Sequence, residues 1–301
     1  MQNAPKNVHY YTNPDKMKQS KSFALKNCFI PAVEIGTPES TGYWFIFSED
    51  KLLVDTSSPL PCEEKTFAPE SLGIKPDFSM LFGYYNSVPC FLAIIDPSQK
   101  TKSMSAVGLR SLFGVVDEDY FSLAGKAIQI LHHRREHIYC SKCATPMEDR
   151  LEELARFCPS CGFICFPRVS PAVIMSVVKD DHILLGRSPH FTKDMYSTLA
   201  GFVEAGETLE EAVSREVHEE TNIVIEQVNY VTSQPWPFPH SVMIGYSAQY
   251  REGELKIDRT ELENAGWYHY KDLPKLPSKI TIARLLIDNF ITSAKEKYDD
   301  Q

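Results

Sequence analysis

Short apolar runs bounded by polar turns, and longer stretches with apolar residues at helical spacing, divide the first part of the chain into elements. The runs "YWFIF" (residues 43–47) and "KLLVD" (51–55) predict a strand pair, and "CFLAIID" (90–96) predicts a further strand. Apolar residues recur at helical spacing in "SAVGLRSLF" (105–113) and "DYFSLAGKAIQILHHRREH" (119–137), so both stretches predict amphipathic helices. Strands followed by helices predict an α+β domain.

In the last part of the chain, strand and helix patterns are interleaved. The predicted strands are "PAVIMSVV" (171–178), "HILLGRS" (182–188), "NYVTSQ" (229–234), "VMIGYSAQY" (242–250) and "GWYHY" (266–270). The predicted helices are "TLEEAVSREVHEET" (208–221) and "ITIARLLIDNFITSA" (280–294). Mixed strands with a helix on each side predict an α/β/α sandwich. We therefore predict an N-terminal α+β domain over residues 1–137, a short unit over 138–167 and an α/β/α domain over 168–301.

The composition fits packed domains and narrows the choice of partners. A hydrophobic content of 43%, with 17 Phe and 14 Tyr in 301 residues, is sufficient for several cores. A net charge of −9 argues against a broad basic surface for nucleic acid or anionic membrane, although it allows a local cationic site. No apolar run approaches the roughly 18 residues of a membrane span, and the start of the chain lacks the apolar stretch of a secretory signal. We expect a cytoplasmic protein.

Two close cysteine pairs predict a metal site in the short unit. Cys140 and Cys143 form one CxxC turn, and Cys158 and Cys161 form a second turn after 14 intervening residues. Two such turns complete the tetrahedral four-thiolate shell that zinc prefers. We therefore predict a zinc ribbon over residues 138–167 with one structural zinc per chain. Cys165 is surplus to this set, and we expect it to be buried.

Three histidines lie near the end of the predicted helix over residues 119–137. His132, His133 and His137 could be metal ligands, but the sequence offers no further ligand set for them. We expect these histidines to be solvated or to interact with the end of the helix.

The helix over residues 208–221 carries three crowded carboxylates, Glu216, Glu219 and Glu220. Glu216 and Glu220 share one side of the helix, and Glu219 lies about 60° around the axis. Like charges at this spacing repel, so either solvent screens them or a cation binds among them. Gathered carboxylates in a cleft bind hard divalent cations such as Mg²⁺ or Mn²⁺.

The whole stretch "GFVEAGETLEEAVSREVHEETNI" (201–223) resembles the Nudix box. It departs from that motif at Asn222, where the motif has Gly. Asn is the commonest substitute for Gly in the left-handed residue that ends a helix, so we expect the loop–helix–loop structure to be kept. Thr208 and Glu211 predict a capping box at the start of this helix.

The segment "SQPWPFPHS" (233–241) contains prolines at alternate positions, which stiffen an extended backbone. Trp236 and Phe238 are thereby held with little conformational entropy left to lose on binding. The alternatives are a proline-rich connection that packs on the core, or a polyproline ligand for a protein partner.

The order of cysteine ribbon, Nudix box and "SQPWPFPHS" resembles the NADH pyrophosphatase family, the NudC-type Nudix hydrolases. The resemblance implies metal-dependent hydrolysis of the diphosphate of NAD(H) to AMP and nicotinamide mononucleotide, removal of 5′ NAD caps from RNA, and a homodimer with composite sites. Two alternatives stay open. The substrate could be another dinucleotide, such as ADP-ribose or a diadenosine polyphosphate. A Nudix protein could also sense a nucleotide without cleaving it, although the presence of all the box carboxylates counts against this.

The resemblance also implies residue roles. The ligands of Mg²⁺ or Mn²⁺ would be Glu216, Glu220, Glu261 and the carbonyl of Ala200, and either Glu219 or Glu261 would help to deprotonate water. The substrate site would be lined by Glu153, Phe166, Phe202, Gln234, Pro235, Trp236, Pro237, Phe238, Pro239, His240, Ser241 and Ala283. Among these, Phe202 and Trp236 would stack on flat rings. Phe166 stands where the family often has Tyr.

Overall fold

The computed structural model describes residues 29–35, 41–55, 68–99, 104–150 and 153–299. In the first three ranges and the start of the fourth, six strands form one sheet: β1 (Phe29–Ile35), β2 (Tyr43–Ser48), β3 (Lys51–Asp55), β4 (Phe78–Tyr85), β5 (Val88–Ile95) and β6 (Met104–Gly108). Their order across the sheet is β1-β4-β5-β2-β3-β6, with β2 and β5 parallel and the other pairs antiparallel. The strands predicted over 43–47, 51–55 and 90–96 are confirmed.

The helix predicted over residues 105–113 is wrong. The first half of this stretch is β6, which pairs with β3 from Lys51↔Gly108 to Asp55↔Met104, and a single 3₁₀ turn, Leu109–Leu112, follows. Residues 104–108 form backbone hydrogen bonds with the edge of β3. This pairing stabilises a strand more than the short apolar pattern stabilises a helix, because tertiary contacts override local propensity. The buried side chains of Leu109 and Leu112 still contribute to the core.

The helix predicted over residues 119–137 is confirmed as α1 (Glu118–Glu136). Asp117 caps its N-terminus, with the carboxylate accepting a hydrogen bond from the backbone N–H of Asp119 at 2.8 Å. Its buried face includes Leu123, Ala127 and Leu131, which belong to the main core of the N-terminal sheet. α1 therefore covers one face of that sheet.

The expectation of solvated histidines is wrong for His133, which is 6% exposed. Its Nε2 lies 3.1 Å from the carbonyl oxygen of Cys165, in the ribbon. Burial, and then the neighbouring His137, lower the pKa of His133 to about 4, so its ring is neutral near pH 7. His137 does interact with the helix end, because its Nδ1 lies 2.8 Å from the carbonyl oxygen of His133.

Three short antiparallel strands form the ribbon: β7 (Glu148–Arg150), β8 (Ala155–Phe157) and β9 (Ile164–Cys165). The four predicted cysteines converge, with Sγ–Sγ distances of 3.6 Å for Cys140–Cys161 and 3.5 Å for Cys143–Cys158. Tetrahedral Zn–S bonds of about 2.3 Å place sulfurs roughly 3.8 Å apart, so the set fits zinc. Cys165 is half-buried rather than buried.

The two cysteine turns have the same backbone design. Ala144 and Gly162 each follow the second cysteine of a pair, and each has a left-handed backbone, with φ of 59° and 73°. Each donates its N–H to the carbonyl of the first cysteine, at 2.8 Å for Ala144 and 3.0 Å for Gly162. This conformation turns both thiols of a pair to the same side. The sequence indicated it at Gly162 but gave no such sign at Ala144.

The C-terminal domain contains β10 (Ser170–Lys179), β11 (His182–Arg187), β12 (Leu199–Phe202), α2 (Leu209–Thr221), β13 (Val224–Trp236), β14 (Ser241–Glu252), β15 (Asn264–His269) and α3 (Ile282–Tyr298). Its sheet has the order β13-β14-β10-β11-β15, and β12 pairs with β10. α2 packs on one face through a core that includes Val213 and Val217. α3 packs on the other face, where Ile287 and Phe290 meet residues of β11. The predicted α/β/α sandwich is confirmed.

The described ranges contain no helix of the length and apolar character needed to cross a membrane.

We expect Cys158→Ser to lose the ribbon zinc and to lower the melting temperature by about 5 °C or more, because zinc binding contributes folding free energy. Elemental analysis and a thermal melt check this. Ser160→Ala, in the same turn but outside the thiolate set, is the control and should retain both zinc and stability. An unchanged zinc content in Cys158→Ser would contradict the assignment of this cysteine.

Candidate active site

The carboxylates of the Nudix-box stretch are carried by α2, whose two ends are fixed locally. Thr208 and Glu211 form the predicted capping box: the Thr208 hydroxyl accepts from the Glu211 N–H, and the Glu211 carboxylate accepts from the Thr208 N–H at 2.8 Å. Asn222 ends the helix with φ of 59°, as predicted for the residue that replaces Gly. Its side chain also donates to the carbonyl of Glu254 at 3.1 Å, a bond that Gly could not make.

The loop between β14 and β15 docks on the C-terminal end of α2. The backbone N–H groups of Lys256 and Asp258 donate to the carbonyls of Thr221 and Glu220, at 3.0 and 2.9 Å. Those carbonyls belong to the last turn of the helix, where C=O groups have no hydrogen-bond donor within the helix itself. The docked loop carries Glu261 to the carboxylates of α2.

Glu216, Glu220 and Glu261 present carboxylate oxygens within 4.8 Å of one another. Glu216 and Glu220 are only 8% and 6% exposed. Burial, followed by the charges of Glu216 and Glu261, raises the pKa of Glu220 to about 8. One oxygen of Glu220, Oε2, is buried and has no hydrogen-bond partner among the described residues. A buried carboxylate oxygen without a donor, beside two further carboxylates, fits a bound divalent cation.

Arg215 holds the other acids of the box in place. Its guanidinium donates to Glu207 at 2.7 and 2.9 Å and to Glu216 and Glu219 at 2.9 Å each. It also donates to the carbonyl of Phe202 at 2.9 Å, which ties β12 to α2. These bonds raise the pKa of Arg215, so it stays charged. The charge of Arg215 offsets those of Glu207, Glu216 and Glu219, whereas Glu220 receives no such bond.

A glycine lets the first carboxylate approach the sheet. A Cβ added to Gly201 would lie 1.8 Å from the Cδ of Glu216. Gly201 is paired with Val173 in β10, and Ala200, whose carbonyl is a predicted metal ligand, immediately precedes it. The backbone of β12 and the carboxylate of Glu216 are therefore in close contact. Phe202, the next residue, is 58% exposed and free to meet a ligand.

The proline-rich segment lies against the N-terminal domain. The ring of Trp236 meets the rings of Phe113 and Phe238 edge to face, each at 5.2 Å between centroids. The guanidinium of Arg110 lies over the ring of Phe238, 4.5 Å from its centroid. Trp236 remains half-buried, so it is both packed and partly accessible.

Several of the predicted substrate-lining residues already have structural partners. Gln234 is 6% exposed and fixes the start of α3, because its amide donates to the carbonyl of Ile280 and accepts from the N–H of Ile282, both at 2.9 Å. Pro237 is buried against Gly125 of α1. The backbone carbonyl of His240 accepts from Ser170 at 2.8 Å. Ser241 and Ala283 are buried, whereas Pro235 and Pro239 are exposed.

Strand register brings the two predicted stacking residues to the same end of the sheet. Trp236 on β13 pairs with Ser241 on β14, and Ser241 pairs with Ser170 at the start of β10. Phe202 on β12 pairs with Ala172, two residues along β10. Three strand spacings of about 4.8 Å separate the strands of Trp236 and Phe202, or roughly 14 Å.

Two predicted residues lie in the ribbon, apart from the carboxylate cluster. Glu153 is exposed and lies 3.8 Å from the Nε of Arg150. Phe166 is 55% exposed. No contact described here connects either residue with the acids of α2, so their assignment stays a prediction.

Sequence reasoning missed Arg215 as the residue that positions the acids, although it stands within the box. It also missed Arg110 and Phe113, which complete the surroundings of the proline-rich segment from another domain. The charge of Arg215 among four glutamates was a usable signal. Nothing near residues 110–113 indicated contact with a segment more than 120 residues away.

Three segments of the chain match known domain families. Residues 41–132 match the NADH pyrophosphatase-like rudimentary NUDIX domain, residues 135–166 the NADH pyrophosphatase zinc ribbon domain, and residues 168–290 the NUDIX domain. Over 261 residues the chain is 38% identical to the NAD-capped RNA hydrolase NudC of Deinococcus radiodurans, with 84% of this chain and 88% of that protein covered. The chain belongs to the NADH pyrophosphatase family of Nudix hydrolases.

Other relatives of this Nudix hydrolase carry the same name. The NAD-capped RNA hydrolase NudC of Stutzerimonas stutzeri is 43% identical over 209 residues, which cover 69% of this chain and 76% of that protein. The NudC of Citrobacter koseri is 36% identical over 260 residues, which cover 86% and 96%. The family resemblance drawn from the motifs is confirmed, together with the mixed α/β Nudix fold and its zinc ribbon.

We expect Gly201→Ala to abolish most of the hydrolytic activity while leaving the fold intact. The new Cβ would displace the flexible carboxylate of Glu216 rather than the backbone, so cation binding should weaken. Gly266→Ala in β15 is the control, because its Cβ would come no closer than 3.3 Å, to the ring of Tyr268. Activity against cation concentration and a melting curve check this. If the activity of Gly201→Ala depended on cation concentration as in the wild type, the close approach of Glu216 to Gly201 would be contradicted.

Proposed function

We propose that this Nudix hydrolase cleaves the diphosphate bond of NAD(H), giving AMP and nicotinamide mononucleotide, and removes 5′ NAD caps from RNA. The cluster of Glu216, Glu220 and Glu261, with the buried oxygen of Glu220 lacking a donor, carries the proposal. Its support comes also from the NADH pyrophosphatase-type domains and from relatives that are named NAD-capped RNA hydrolases.

In this proposal Glu216, Glu220, Glu261 and the carbonyl of Ala200 hold Mg²⁺ or Mn²⁺. Such a cation, when bound, neutralises the diphosphate and lowers the pKa of a water ligand. Arg215 keeps Glu216 oriented through its bond of 2.9 Å. Either Glu219 or Glu261 accepts the proton of the attacking water. Glu219 is 57% exposed at its side chain and already accepts a bond from Arg215.

The substrate extends along the end of the sheet that carries Phe202 and Trp236. Their strands are roughly 14 Å apart, a separation that allows each aromatic ring to face one end of a dinucleotide. Phe202 is largely exposed, and Trp236 is braced by Phe113 and Phe238. Stacking on such rings favours a flat base over a substrate that lacks one. The prolines on both sides of Trp236 stiffen the backbone that carries it.

We also propose a cytoplasmic homodimer. Reducing conditions keep the ribbon cysteines available for zinc, which fits a cytoplasmic location. Four large apolar residues at the two ends of the ribbon are more than half exposed: Ile138, Tyr139, Phe166 and Val169. A second copy of the chain would cover them. Light scattering should give twice the chain mass of 34.2 kDa, and a monomer at micromolar concentration would contradict the dimer.

A substrate panel tests the function directly. NADH, NAD⁺, ADP-ribose, a diadenosine polyphosphate and RNA with a 5′ NAD cap are incubated with and without Mg²⁺ or Mn²⁺, and the products are separated by chromatography. We expect AMP and nicotinamide mononucleotide from NAD(H), and only with a cation. If the protein bound these nucleotides but cleaved none of them, it would be a nucleotide sensor and not an enzyme.

We expect Glu220→Gln to lower kcat/KM for NADH by about 10²-fold or more, because the cation that stabilises the transition state loses a charged ligand. The melting temperature of the cation-free protein near pH 7 should stay equal or rise, since Gln, unlike Glu220 with its raised pKa, takes up no proton on burial. Glu210→Gln, on the exposed side of the same helix, is the control and should retain activity. Near-wild-type turnover by Glu220→Gln would rule out its role as a ligand.

We expect Trp236→Ala to lower kcat/KM for NADH by about 5- to 150-fold, the range given by one lost base–aromatic stack. ADP-ribose, which lacks the nicotinamide ring, should lose less. Trp236→Phe keeps a flat ring and should fall in between. Because Trp236 also contacts Phe113 and Phe238, a melting curve accompanies the kinetics. Equal losses on both substrates with a large drop in melting temperature would assign Trp236 to packing alone.

A further inference from the structure

We propose that His133, His137 and Cys165 form a second zinc site, separate from the four-cysteine ribbon site and from the carboxylate cluster. The three side chains offer one ligand atom each, and these atoms lie within 4.8 Å of one another. His133 and His137 are one turn apart on α1, and Cys165 ends β9 of the ribbon. The inference does not depend on the proposed function.

Hydrogen bonds fix the tautomers of both rings in a form that suits a metal. The Nε2 of His133 lies 3.1 Å from the carbonyl of Cys165, and the Nδ1 of His137 lies 2.8 Å from the carbonyl of His133. A carbonyl oxygen only accepts, so each of these nitrogens carries the proton of its neutral ring. The lone pair is therefore on the opposite nitrogen of each ring. Metal-bound histidines have this same arrangement, with the second nitrogen donating to a carbonyl.

One of these lone pairs is buried without a partner. The Nδ1 of His133 has no hydrogen-bond partner among the described residues, and the side chain is 6% exposed. A buried polar nitrogen without a partner costs free energy unless a ligand binds it. The ring of His137 lies 4.5 Å from that of His133 between centroids.

The thiol of Cys165 supplies the third ligand. It is outside the set of Cys140, Cys143, Cys158 and Cys161, although it packs against the cluster of Cys140, Met147 and Cys158, and its hydrogen bond is a weak one of 3.8 Å to the carbonyl of Phe166. On binding, the thiol proton leaves to solvent and the thiolate coordinates the ion. Two imidazoles and one thiolate favour zinc among the abundant divalent ions, and leave a fourth position for water.

Two positive charges act on this cluster, that of Arg156 on His133 and that of Arg168 on Cys165. The charge of Arg156 is already compensated. Arg156 donates to the carbonyl of His137 at 3.2 Å. The same guanidinium donates to Asp149 at 2.6 Å, and Asp149 also pairs with Arg134. A zinc ion here would join α1 of the N-terminal domain to the ribbon, beside the hydrogen bond from His133 to Cys165 and the ion pair of Arg134 with Asp149.

The test is the zinc content of the full chain after equilibration with buffered micromolar zinc, measured by elemental analysis. We expect two zinc ions in the wild type, and one in both His137→Ala and Cys165→Ser. Cys165→Ser is nearly isosteric, so it keeps the test decisive if His137→Ala folds poorly. His132→Ala, on the same helix but outside the cluster, is the matched control and should retain two. Added zinc should raise the melting temperature of the wild type and of His132→Ala only.

Cobalt substitution adds a readout of the ligand set. Filling the second site should add the weaker charge-transfer absorption of one thiolate to the strong absorption of the four-thiolate site, and Cys165→Ser should lose only the weaker part. One zinc in the wild type would overturn the proposal. Two zinc ions in His137→Ala and Cys165→Ser, or the loss of one from His132→Ala, would do so as well.

Discussion

The burial of one negative charge determines the arrangement of the catalytic half of the molecule. Glu220 lies 6% exposed between two other carboxylates, and its charged form has no compensating donor in the described protein. Without a cation, the raised pKa makes folding stability fall as the pH rises from 4.5 towards about 8, because the charged form must then be buried. A cation removes this penalty by displacing the proton. Arg215, the capping box and the docked loop serve to keep the charges together despite their repulsion.

Those supporting parts differ in how far the sequence reveals them. The caps of α2 depend on residues within a turn of each other, so Thr208, Glu211 and Asn222 were readable from the chain. The cysteine turns are equally local. The arrival of Glu261 at the cluster depends on a loop that docks through backbone bonds to Glu220 and Thr221. It was inferred only from resemblance to a family, since no local pattern encodes it.

The misjudged elements share one cause. β6 is a strand because the edge of β3 is available to it, and the helical spacing of residues 105–113 contains no information about that edge. His133 is buried because the ribbon, 32 residues away, covers it with the carbonyl of Cys165. The amide of Gln234 binds the start of α3, 46 and 48 residues away, a contact that the sequence did not indicate. Such long-range partners decide the environment of a side chain, and composition and periodicity do not report them.

α1 touches all three parts of the chain. It covers the N-terminal sheet, its Gly125 lies directly under Pro237 of the Nudix domain, and its His133 meets the ribbon. The rings of Phe113 and Phe121 also cover Trp236 and Phe238. A gene fragment that encodes the Nudix domain alone would thus keep every acid of the box, but its proline-rich segment would lack the contacts with Phe113, Phe121 and Gly125. Such a fragment would retain the cluster of Glu216, Glu220 and Glu261 while losing the contacts that support Trp236 and Phe238, so under the function proposed above selectivity and bond cleavage would separate.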